Sequence, residues 1–147
     1  MKSEESINGY LFSSDKSLLQ PGVIHHFLAS ESYWSKNIPV EVVKRAINNS
    51  ECFGIYHEGG QVGFARVITD YASLAYLADV FVLKEYRGKG LGKHLVEFIL
   101  RHEPLKKIRR MMLATLDGHG LYSQFGFTPL GQTEQYLEKR IFDDYPG

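Results

Sequence analysis

A single cysteine, Cys52, stands among 147 residues, which excludes an internal disulfide framework and a cysteine-rich zinc site. Charge of one sign is not in excess either. Seventeen Lys and Arg face 17 Asp and Glu, so nothing suggests a broad basic face for nucleic acid or an anionic membrane. No apolar run approaches the ~20 residues of a bilayer span. The opening MKSEESINGY has no apolar core of the kind a secretory signal carries. A cytoplasmic protein with no nucleic-acid or membrane partner is the expectation. Internal repeats, low-complexity tracts and Pro- or Ser-rich linkers are missing as well, so residues 1–147 are expected to form one domain. No spacing of His, Asp and Glu points to a metal.

What is present is a mixed pattern of elements. Gly9 to Ser13 reads as a short strand, and Val23 to Leu28 as a short helix. Pro39 suits a first helical turn, with Val40, Val43 and Ile47 following at helical spacing. Cys52–Tyr56 and Gln61–Ile68 are apolar and rich in β-branched or aromatic residues, joined across Gly59-Gly60 as a hairpin. Tyr71 to Leu83 predicts a buried central strand. Leu91, Leu95, Phe98 and Ile99 repeat at i, i+4, i+7 and i+8 in a helix over 91–101. A strand is expected over Arg110–Thr115, a short helix over Gly120–Phe125 and a last strand within Thr128–Ile141. The class is α/β in the mixed sense, a mixed sheet with helices on its faces.

The chemistry concentrates between Phe81 and Lys93, where a strand gives way to Arg87-Gly88-Lys89-Gly90-Leu91-Gly92-Lys93 and then to the helix. Glycines let backbone N–H groups approach a ligand. The helix N-terminus adds about half a positive charge, and Arg87, Lys89 and Lys93 add whole ones. The expected guest is a phosphate or pyrophosphate. A dinucleotide fingerprint would need a glycine where Lys93 stands. A Walker-type loop would need Ser or Thr where His94 stands.

Arg87-x-x-Gly90-x-Gly92 after a strand, with Tyr122 and the Gly126-Phe127 pair some thirty residues on, resembles the GNAT acetyltransferase superfamily, whose element order the chain follows over roughly residues 8–136. The resemblance implies a mostly antiparallel central sheet of six to seven strands, splayed between two parallel strands and flanked by about four helices. It implies acetyl-CoA as cosubstrate, held in the splay. The pyrophosphate would meet Gly88, Lys89, Gly90, Leu91, Gly92 and Lys93, with Arg87 beside them. The pantetheine arm would meet the main chain of Val80, Phe81 and Val82, one amide of Phe81 or Val82 facing the thioester oxygen. Tyr122 occupies the position of the acid that protonates the leaving thiolate; as an alternative it is a packing residue of the Phe125–Phe127 cluster. Some polyamine and small-amine members carry a Glu proposed as base where this chain has Ala78, so that role does not transfer. Asp79 beside it either acts through a water or braces structure. His119, three residues before Tyr122, is a second titratable candidate or a surface histidine.

On the acceptor side stand Tyr33, Trp34, Phe64 and Arg66. The two neighbouring aromatics either wall a pocket or staple the helical pair. Phe64 and Arg66 alternate with Ala65 and share a sheet face; Arg66 meets either an acceptor carboxylate or a nearby acid. The resemblance implies direct acetyl transfer onto a primary amine, and these residues pull toward a small-molecule acceptor, with an amino-acid-like one the finer expectation. A protein or peptide N-acetyltransferase would need an open groove, and a non-catalytic acetyl-CoA-binding module would not need Tyr122. Homodimers are common among such relatives, and the sequence leaves that option open.

Overall fold

A computed structural model describes residues 2–147. Six strands lie in their sequence order across one sheet: β1 (Glu4–Ile7), β2 (Tyr10–Ser13), β3 (Glu51–His57), β4 (Gly60–Thr69), β5 (Leu74–Val82) and β6 (Arg110–Met112). Neighbours are antiparallel as far as β5, and β5 and β6 are parallel. Four α-helices accompany them among the described residues: α1 (Pro21–His26), α2 (Val40–Asn48), α3 (Leu91–Arg101) and α4 (His119–Ser123). The expected sheet is therefore present in its six-stranded form.

The alternation of the strands divides the core in two. Phe53 and Ile55 of β3, with Ala65 and Val67 of β4, meet Leu95, Phe98 and Ile99 of α3 on one face. Cys52 and Phe64 meet Ile24, Val43 and Ile47 of α1 and α2 on the other. Helix α2 has its apolar stripe at Val43 and Ile47 because these lie four residues apart. Helix α1 runs on into a wider turn over Phe27–Glu31, where Ser32 N–H reaches back five residues to Phe27 O at 2.9 Å. The Ser32 hydroxyl donates to Leu28 O at 2.6 Å and accepts from Ser35 N–H at 3.1 Å. That turn thrusts Tyr33 and Trp34 out of the helical layer; they remain 65% and 42% exposed.

Parity changes inside β5. Ala75 and Leu77 point to the α3 face, whereas Phe81, also odd-numbered, points to the α1–α2 face. The register explains it: Phe64 pairs with Phe81 and Arg66 with Ala78, so three steps on β5 answer two on β4. The extra residue makes a bulge, and Asp79 within it adopts φ +54°. Here backbone strain coincides with the place where β5 leaves β6. Their ladder holds only Leu74–Tyr76 against Arg110–Met112, and beyond it the strands separate.

Three expectations change. The opening strand is a hairpin, β1 with β2, turned on Asn8 (φ +50°) and Gly9 (φ +86°); Glu4-Glu5-Ser6-Ile7 is too polar to read as its first strand, although Asn-Gly is a hairpin signal. The parallel strand stops at Met112 rather than Thr115. Finally, residues 128–141 contain no strand among the described residues; Leu137 and Ile141 are 96% and 81% exposed, and the three-residue β6 offers little edge to pair with.

Phe64, expected at the acceptor pocket, is 0% exposed. It shares the face of Arg66 but lies one step further under the helical layer, its ring 5.9 Å from that of Phe81. Phe64→Ala is therefore expected to lower the unfolding free energy by about 3–5 kcal/mol in urea titrations; a loss under about 1 kcal/mol would return Phe64 to the cleft.

Candidate active site

Where β5 and β6 part, the sheet opens into a cleft of about 1010 Å³. One wall is the unpaired edge of Leu77–Val82, and the other is Leu113–Gly118 with Leu121 and Tyr122 of α4. Its floor continues to Arg87, Gly88 and the start of α3, and its far end reaches Tyr33, Trp34 and Arg66. The cleft thus collects most of the residues singled out in the sequence. Three are not among its lining, the first two being Phe64, and Lys89, which is exposed beside the loop. His119 begins α4 exposed and is not among the lining residues either.

The loop end is an anion cradle. Gly88 and Gly90 take φ +79° and +77°, conformations that a side chain disfavours. Gly90 sits at the N-cap of α3 without a side-chain partner for the helix's first amides. Gly92 is helical, and a Cβ there would meet nothing within 4 Å. The fold therefore does not need glycine at position 92; the bare backbone matters only to something that approaches from the cleft. Arg87 Nε donates to Val82 O at 2.9 Å, fixing the guanidinium between strand edge and cradle.

The strand edge is an acceptor and donor row without a partner strand. Leu83 N–H donates to Val62 O of β4 at 2.8 Å. Amides alternate in direction along a strand, so Phe81 N–H turns toward β4 while Val82 N–H turns toward the cleft. Of the two amides considered for the thioester oxygen, only that of Val82 faces the opening.

Tyr122 is 8% exposed and lines the cleft. Its ring meets Phe127 edge-on at 5.8 Å, so the packing role and the cleft position coexist. Burial, and then the negative charge of Asp117, push its hydroxyl above the ordinary tyrosine range. Gly118 permits this placement: a Cβ there would lie 3.0 Å from the Tyr122 ring and 2.8 Å from Thr115 Oγ1.

At the far end of the cleft three side chains that look like separate candidates in the sequence form one unit. Arg66 Nε donates to Asp79 Oδ2 at 2.6 Å, and Trp34 Nε1 donates to Asp79 Oδ1 at 2.7 Å. Arg66 Nη1 also donates to Ser50 Oγ at 3.1 Å. The Arg66 and Asp79 side chains are 19% and 9% exposed. Asp79 is thus a brace with both oxygens engaged, joining the bulge to the aromatic turn. No local signal marks this unit, because the bulge that aims Asp79 depends on pairing with β4.

The thiol of Cys52 is not available as a nucleophile. It is 1% exposed, and burial pushes its pKa up to about 12, so no thiolate is at hand to carry an acyl group. Among the described residues no group of three His, Cys, Asp or Glu could hold a metal ion, and no helix is long and apolar enough to cross a membrane.

Known proteins share this fold. The family model for the acetyltransferase (GNAT) domain matches residues 48–129. A candidate acetyltransferase of Gibberella zeae is 32% identical over 137 residues, covering 78% of this chain and 76% of that protein. The spermine/spermidine N(1)-acetyltransferase of Bacillus subtilis is 32% identical over 98 residues, 58% of this chain and 64% of its own length. The crystal structure of a candidate GNAT-family acetyltransferase from Xanthomonas campestris pv. campestris superposes with a TM-score of 0.88 at 46% identity, covering 92% of this chain and 96% of that one. With a domain match over more than half of the sequence and a shared fold over nearly all of it, the chain belongs to the GNAT acetyltransferase family, N-acetyltransferases with acetyl-CoA as donor.

Proposed function

We propose that the protein transfers an acetyl group directly from acetyl-CoA to the primary amine of a small molecule, with Tyr122 as the acid. The observation that carries this reading is the continuity of one cleft, from the glycine cradle along the open edge of β5 to Tyr122 and on to Tyr33, Trp34 and Arg66. The residues fit the cosubstrate. The amides of Leu91, Gly92 and Lys93 at the start of α3 would hold its pyrophosphate, with Arg87, Gly88, Lys89 and Gly90 shaping the turn. The main chain of Val80, Phe81 and Val82 would receive an extended arm as an added strand. When bound, acetyl-CoA supplies a thioester carbon ready for attack.

The chain then has two tasks. Val82 N–H stabilises the oxyanion that develops on the acetyl oxygen. Tyr122 Oη donates a proton to the departing sulfur, whose conjugate acid resembles a thiol with a pKa near ~8.5. The amine attacks the thioester carbon itself, since the buried Cys52 offers no acyl-enzyme alternative. An alkyl ammonium with a pKa near ~10 must first lose its proton, so the neutral fraction of the acceptor rises tenfold per pH unit below that value. Asp79, engaged by Trp34 and Arg66, is a positioning residue rather than the base. Support for a small-molecule amine comes from the Bacillus subtilis relative, named for spermine and spermidine, and from an acceptor end walled by two aromatic side chains.

Tyr122→Phe is expected to cut kcat about 10²-fold in a thiol-release assay, with acetyl-CoA affinity from calorimetry within about threefold of wild type. An unchanged rate would reduce Tyr122 to a packing residue. Because burial and Asp117 raise its pKa, Tyr122 keeps its donating proton beyond the ordinary value of ~10; kcat/KM is therefore expected to rise through pH ~7–9 with no loss attributable to tyrosine ionisation. A decline already between pH ~8 and ~9 that vanishes in Tyr122→Phe would contradict this. Gly92→Leu is expected to weaken acetyl-CoA binding at least about tenfold, ~1.4 kcal/mol, without lowering Tm, since leucine favours helix over glycine. Unaltered affinity would mean that the cradle is not where the pyrophosphate lies.

A further inference from the structure

Resting on the reading of the cleft as a site for small amines, we propose that Arg66 selects acceptors that carry a carboxylate beside the reactive amine, and that the same cleft disfavours polyamines. The acidic group at the acceptor end is already engaged. Asp79 accepts from Arg66 through one oxygen and from Trp34 through the other, at 2.6 and 2.7 Å, and only 9% of its side chain is exposed. Among the described residues that line the cleft, the one other carboxylate is Asp117, on the opposite wall beside Tyr122. A polyamine entering here keeps two or more positive charges with one uncommitted partner, and it faces the Arg66 guanidinium as well.

The basic group, by contrast, has unused donors. A guanidinium carries five N–H bonds in a fixed plane. In Arg66 one goes to Asp79 and one to Ser50, while Nη2 makes no hydrogen bond to a described residue. The side chain lines the cleft and is 19% exposed. Its plane is set before any ligand arrives, because Asp79 and Ser50 hold it from two directions. A fixed fork with free N–H groups matches a carboxylate better than a flexible ammonium would. Tyr33 and Trp34, ring centroids 5.0 Å apart, line the cleft beside the pair.

The arrangement makes a second consequence readable. Removing the guanidinium deletes the carboxylate reader and, in the same stroke, releases Asp79 Oδ2. Selectivity should invert, which a merely structural loss would not produce.

The experiment compares L-amino acids with the amines left by their decarboxylation and with spermidine, as acceptors for the wild-type enzyme and Arg66→Gln. For wild type, KM for the carboxylate-bearing acceptor is expected to be at least about tenfold below that for its decarboxylated partner, the scale of one charged hydrogen bond. In Arg66→Gln the gap should close to about twofold and spermidine should become the better acceptor, with acetyl-CoA affinity within about twofold of wild type. A wild-type preference for spermidine, or an Arg66→Gln variant that keeps its discrimination, overturns the proposal and leaves the small-amine reading standing. If acetyl-CoA binds but no small amine is acetylated, that reading falls and the proposal with it. Should Arg66→Gln fail to bind acetyl-CoA, Ser50→Ala decides the matter: a loosened guanidinium should raise KM for carboxylate-bearing acceptors about threefold and leave the decarboxylated ones unmoved, and equal effects on both would sink the idea.

Discussion

The β5 wall of the cleft turns on the single residue by which β5 exceeds β4 between Ala78 and Phe81. A strand that carries one residue more than its neighbour must bend and twist. Here the bulge follows directly on the last β5–β6 pair, Tyr76 with Met112, and the sheet stays open instead of closing. The same insertion flips the parity of β5, so that Leu77 faces α3 while Phe81 packs under α1. One local irregularity thereby shapes one wall of the cleft, with a backbone edge along it, and keeps both hydrophobic layers intact.

The strain of that irregularity sits on Asp79, a residue for which a positive φ is uncommon but tolerable. What holds it is not its own backbone but two donors from elsewhere in the chain: an indole from the turn after α1 and a guanidinium from β4. Removing either partner of a buried pair leaves a charge without compensation. The brace therefore ties three regions that no short stretch of sequence connects, and it occupies the carboxylate that a base would need. What the brace leaves unused along the cleft is the amide edge of β5, Tyr122 across the gap and the free side of Arg66.

These relations also explain what can be read in advance. The β3–β4 hairpin, α3 and the glycine loop are legible because their signals are local: an apolar alternation around Gly-Gly, a repeat of Leu91, Leu95 and Phe98, and glycines ahead of a helix. Tyr122 is legible only through resemblance, since nothing near it in sequence distinguishes a cleft tyrosine from a packed one. Strand β1 escapes notice because a strand on the sheet edge, half in water, needs no apolar run. Composition overstates the last strand, as β-favouring residues at 128–141 find almost no edge beyond Met112. Phe64 and Arg66 do share one face, yet parity cannot say how far the helical layer extends over it, and that distance separates a core ring from a cleft guanidinium. The Trp34–Asp79–Arg66 unit requires the register of two strands together with the wide turn at Phe27–Glu31.

The parting of β5 from β6 has a consequence for the life of the protein in a crowded solution. A row of unpaired backbone N–H and C=O groups beside apolar side chains is a template that a second unfolded or neighbouring chain can complete, the usual beginning of aggregation. On the proposed reading, acetyl-CoA fills this row and so also caps it. Any molecule that binds the folded state alone shifts the folding equilibrium by mass action, so a full supply of acetyl-CoA would protect the chain from self-association as well as feed its reaction. Depletion of that supply would uncover an unpaired edge inside the sheet, between β5 and β6.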